Sequence, residues 1–72
     1  MNYVQIYNDY VKPLKLPIML ISSIYDENDY HQDIMLHTIK KKIKKIGNVQ
    51  SYINKIAFKL QYRQLKQKLL IP

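Results

Sequence analysis

The chain reads as an all-α protein, a compact three- to four-helix domain that ends in a basic helical hairpin. Three observations predict this. Apolar residues from Ile34 onward recur every three to four positions. Backbone breakers are few, with one glycine and three prolines. Ile18–Tyr25, the one stretch that fits a strand, has no second strand to pair with. Residues 1–72 make a single small domain, and a chain this short buries only about 60% of its unfolded surface. With no cysteine there is no disulfide to compensate, so regular helix packing or a partner has to.

At the N-terminus, "NYVQIYNDYV" sets Tyr3, Tyr7, Tyr10 and Val11 at helical spacing and predicts a short amphipathic helix. Pro13 and Pro17 in "KPLKLP" each disfavour helix at the preceding residue, which makes Lys12–Leu16 extended. The run "IMLISSIY" fits a short helix with Pro17 in its first turn or a buried strand, and the missing partner strand favours helix. Next, "DENDYHQD" offers Asp26 or Asp29 as an N-cap, with Asp29 and Gln32 spaced as a capping box. The helix it opens is expected to reach Ile46. At about 100° per residue, Met35, Leu36, Ile39, Ile43 and Ile46 share one arc, with Lys40, Lys41, Lys44 and Lys45 opposite and Lys42 at the border. Gly47 in the left-handed conformation and Asn48 as the next cap then predict a tight turn.

The last helix, Val49 to about Leu70, has two seams. Val49, Ile53, Ile56 and Leu60 form the first, suited to packing on the preceding helix. Phe58, Tyr62, Leu65 and Leu69 form the second, nearly opposite, and need the N-terminal helix or another molecule to cover them. A strip of Lys55, Lys59 and Lys66 lies between.

Charge is partitioned along the chain. All five acids lie in residues 1–33, where with Lys12 and Lys15 they leave a net charge of −3. Residues 34–72 hold nine lysines and Arg63 without an acid, a charge of +10, and the two parts give the total of +7. The helix dipole favours acids first and lysines last, which accounts for part of this. It does not account for the missing glutamates, which exposed helices ordinarily interleave with lysine at i, i+4. A cationic helical pair repels itself unless an external polyanion compensates, and nucleic-acid phosphate is the common one.

The order helix, "IGN", helix, continuing as "GNVQSYINKI", resembles the helix-turn-helix of phage-repressor-type DNA-binding proteins. The resemblance implies that Gly47 holds the turn, Ile53 is the buried position of a recognition helix, and Gln50, Ser51, Asn54 and Lys55 face a groove. Arg63 is the only guanidinium, so bidentate reading of guanine is scarce and contacts fall mainly on phosphate. Tyr52 and Tyr62 stand beside lysines as candidate stacking platforms, although filling core edges is the simpler role for the tyrosines.

Catalysis is not expected. His31 and His37 are six apart, about 120° around a helix, which is poor metal spacing, and no cofactor is implied. Asp33 and His37 are spaced for a surface ion pair, with no nucleophile or glycine-rich loop to make them a site. The longest nearly apolar stretch, Leu16–Tyr25, is half of the roughly 20 residues a membrane-spanning helix needs, so no transmembrane segment is expected. No secretory signal is evident, and the lack of cysteine fits a reducing, intracellular compartment.

The sequence therefore points to a non-catalytic protein that binds nucleic acid, structured RNA or a ribonucleoprotein above all, through Lys40, Lys41, Lys44, Lys45, Lys55, Lys59 and Lys66. Two alternatives stand beside it. One is an accessory subunit that docks on a larger assembly, a like chain or an anionic membrane surface through the second seam. The other is a helix-turn-helix regulator.

Overall fold

The computed structural model describes residues 2–70, and among them every side chain except that of Ile43. Three helical elements pack around one core: α1 (Tyr3–Ile6), which runs on as a π turn (Tyr7–Val11), α2 (Glu27–Lys40) and α3 (Val49–Leu70). No strand forms among these residues. Ile18–Tyr25 instead divides into a short 3-10 turn, Ile18–Leu20, and a tight turn closed by Ser22 N–H to Tyr25 O at 2.8 Å. Pro17 sits just before the 3-10 turn, as its cap.

Asn2 caps α1 by accepting from Gln5 N–H at 2.9 Å. The π turn follows because the bond from Lys12 N–H to Tyr7 O spans five residues, and such closure stacks side chains five apart. Ile6 and Val11 have that spacing and are both fully buried. Tyr3, Tyr7 and Tyr10 pack at the edge of the core. Lys12 keeps helical angles in spite of Pro13, and the chain becomes extended only beyond the Leu14 N–H to Val11 O turn.

The segment Leu14–Leu20 is threaded between α2 and α3. Leu16 N–H donates to Glu27 Oε2 at 3.0 Å, His31 Nε2 donates to Leu14 O at 2.7 Å, and Lys68 Nζ donates to Met19 O. Leu16 and Leu20 are thereby placed in the core.

On α2 the capping box joins Asp26 and Asp29, each side chain accepting the other's N–H at 3.0 Å, rather than Asp29 and Gln32. The inward face is Tyr30, Ile34 and Thr38, with His31 beside it. The expected arc holds only in part: Leu36 and Ile39 are 55% and 53% exposed and Met35 is half-buried, while Ile46, beyond the end of the helix, is buried. Ile43, assigned to the same arc, lies outside the described side chains. Thr38 is buried without penalty because its hydroxyl donates to Ile34 O at 2.8 Å.

The helix also stops at Lys40, not Ile46; Lys41 is extended at φ −94°, ψ 126°. Continuing it would stack Lys40 on Lys44 and Lys41 on Lys45, like charges at i, i+4 that destabilise a helix. A 3-10 turn, Ile43–Lys45, fills the connection instead. Gly47 is accordingly not left-handed, since the helix it was expected to end has already ended. Asn48 does cap α3, accepting from Ser51 N–H at 3.0 Å.

The first seam of α3 behaves as expected. Ile53, Ile56 and Leu60 are buried with Ala57, and Val49 is packed against the core. The helix packs on α2, the π turn and the 3-10 turn. Its 22 residues, about 33 Å, set the long dimension of a molecule measuring 43 × 18 × 16 Å.

Candidate nucleic-acid interface

Every cation from Lys40 to Lys68, Arg63 included, is solvent-exposed. They form two groups. Lys40, Lys41, Lys42, Lys44 and Lys45 crowd the end of α2 and the irregular connection, where the negative end of the α2 dipole favours a cation. Lys55, Lys59 and Lys66 line up on α3 at offsets of four and seven residues, a strip about 16 Å long that also carries exposed Tyr62. Lys55 and Lys59 border a cleft of about 210 Å³ closed by His37, Tyr52, Ile56 and Leu60. The Tyr52 hydroxyl donates to His37 O at 3.2 Å, which fixes its ring between α2 and α3, and burial raises its pKa.

Four of the five carboxylates are engaged elsewhere, and Asp9 is exposed on the π turn. Asp26 and Asp29 close the capping box, Glu27 holds Leu16 N–H, and Asp33 Oδ2 accepts from the Tyr25 hydroxyl at 3.2 Å. The N–H of Asp29 holds the Asp26 carboxyl below its ordinary range. These four acids lie in the first half of α2 or just before it, and the lysine cluster begins at its last residue. Along α2 these four acids and the lysines therefore stay apart in space as they do in sequence.

The two histidines take different places. His31 is buried, bonded to Leu14 O, with Tyr7 edge-on at 6.4 Å. His37 turns its Nδ1 to the Asp33 backbone carbonyl at 2.9 Å, so the expected side-chain ion pair is replaced by a bond to the main chain. Among the described residues no group of three or more His, Cys, Asp and Glu side chains could hold a metal, and no helix is long and apolar enough to cross a membrane.

The helix-turn-helix geometry is not reproduced. Residues 41–48 separate α2 from α3, where that motif uses a turn of three to four residues. Gln50 Nε2 donates to Asn54 Oδ1 at 3.0 Å, so these two exposed amides satisfy one another, and Ser51 lends its N–H to the Asn48 cap. On the second seam, Phe58, Tyr62 and Leu69 are exposed and Leu65 is half-buried; the tyrosine-rich α1 does not cover them. Reading the sequence missed Tyr30 and Thr38 as core, although Tyr30, Ile34 and Thr38 share the i, i+4, i+8 spacing that would have shown it. Comparison with protein-family models, curated proteins and solved structures finds no match to the chain.

Proposed function

We propose that the protein binds nucleic acid, structured RNA or a ribonucleoprotein surface in preference to a DNA sequence, by neutralising phosphates with Lys40, Lys41, Lys44, Lys45, Lys55, Lys59 and Lys66. One observation carries this reading. Ten exposed cations occupy residues 34–72 with no acid among them, while Asp26, Glu27, Asp29 and Asp33 hydrogen-bond to backbone and tyrosine groups at the other end of α2. The unrelieved repulsion favours an external polyanion, and binding gains from counterion release. One arginine among twelve basic residues leaves few forked contacts to base edges, so affinity depends on backbone geometry and salt.

Filter binding on duplex DNA, structured RNA and anionic vesicles at a series of ionic strengths tests the partner class. If five lysines meet duplex phosphates, log K falls against log salt with a slope of about −4.5. Affinity that does not change with salt would end this reading.

A further inference from the structure

The outer face of α3 carries an apolar seam that the other described residues leave open. Phe58, Tyr62 and Leu69 are 73%, 67% and 77% exposed, and Leu65 is in line with them, its inner side against the core. Their offsets of four, three and four are the register of a coiled-coil seam, with Phe58 and Leu65 at d and Tyr62 and Leu69 at a. Alongside runs a groove of about 270 Å³, bounded on one side by this seam and on the other by Pro17, Met19 and Leu20. In the same register Lys59 and Lys66 fall at e, Gln61 and Lys68 at g, and Lys55 at the preceding a.

We infer that this groove docks an acidic amphipathic helix of a partner protein, with apolar residues at its a and d positions and Glu or Asp opposite Lys59 and Lys66. Charge selects this occupant. An antiparallel second copy would set the e positions Lys59 and Lys66 against each other, and a parallel one would bury Lys55 against itself at a. Neither arrangement brings an acid, since none exists after Asp33. A helix ridge fits the channel between the 3-10 turn and α3, as in other helix-in-groove complexes, whereas a bilayer surface does not enter it.

The test uses three synthetic three-heptad helical peptides: Leu at a and d with Glu at e and g; the same with Lys at e and g; and a Glu peptide whose leucines are serine. The full chain is titrated by calorimetry, with light scattering to record its own mass. The Leu/Glu peptide is expected to bind at least tenfold more tightly than either control. Phe58→Asp, and separately Lys59→Glu with Lys66→Glu, each weaken it tenfold or more while the melting temperature holds. Equal binding of the serine peptide would reduce the contact to charge attraction and overturn the inference. So would equal binding of the Lys peptide, no binding at all, a dimer of the chain lost on Phe58→Asp, or capture of the seam by vesicles of phosphatidylglycerol and phosphatidylcholine in place of the peptide.

Discussion

The imidazole Nε2 of His31 donates to the carbonyl of Leu14 at 2.7 Å, and this bond fastens the extended segment after Pro13 to the middle of the fold. The ring is 7% exposed and packs beside Tyr30 as well as Tyr7. His31→Ala removes a donor from a carbonyl in a partly buried site, at a cost of about 1–3 kcal/mol. For a domain of this size each kcal/mol lowers the melting temperature by about 4–8 °C, which a thermal circular-dichroism melt resolves. A variant that melts with the parent would show that the segment is held by Leu16, Leu20 and the bonds of Glu27 and Lys68 without His31.

Three tyrosines make the fold sensitive to alkali. Burial, followed by the neighbouring Asp33 carboxylate, pushes the Tyr25 hydroxyl well above its usual 10.0, and burial also raises Tyr30 and Tyr52. The folded state thus holds these protons more tightly than the unfolded chain. Their contribution is fully present below about pH 10 and is lost as pH rises from there toward the folded values. Above the carboxylate range, denaturant midpoints are expected to be flat up to that point and to fall beyond it, with a shallower fall in Tyr25→Phe. An unchanged alkaline limb in that variant would remove Tyr25 from the account.

Gly47 does not end α2, and lysine repulsion at i, i+4 opposes its continuation past Lys40. Lys40→Glu with Lys41→Glu would convert the two blocked i, i+4 pairs into Glu-to-Lys pairs in the favourable order, each contributing roughly 0.2–0.5 kcal/mol. Greater helical ellipticity, a higher melting temperature and a weaker response of both to added salt are expected. Helicity equal to the parent's would place the cause of the break in tertiary packing.

This break also shows what was legible in the sequence and what was not. The bounds of α3, its Asn48 cap and its buried Ile53, Ile56 and Leu60 followed from local spacing, because one strong seam and one cap agree there. On α2 two faces carry apolar residues, and the choice between them rests on Tyr30 and Thr38, whose polar atoms are satisfied by Gln61 Nε2 at 2.8 Å and Ile34 O at 2.8 Å. The Tyr30 partner is 31 residues away, beyond what periodicity reports. The π turn, which aligns Ile6 with Val11, and the Met19–Lys68 contact, which ties the 3-10 turn to α3, are likewise products of tertiary packing. The lysine face was legible because charge, unlike burial, can be counted.

Two pairs of substitutions separate phosphate contact from base reading on α3. Lys55 and Lys59 are exposed one turn apart, whereas Gln50 and Asn54, on the preceding turns, are hydrogen-bonded to one another. Lys55→Gln with Lys59→Gln removes two cations without adding acids, and each lost phosphate contact lowers the salt slope by about 0.9 on a duplex and about 0.7 on a single strand. Affinity for structured RNA at low salt should therefore fall, with the slope shallower by up to about 1.8. Gln50→Ala with Asn54→Ala should leave both affinity and slope near the parent's, because breaking a mutual surface bond exposes no buried group. If that second pair instead abolished a single protected site on DNA while the lysine pair merely weakened it, these amides would be reading bases, and α3 would be a recognition helix after all.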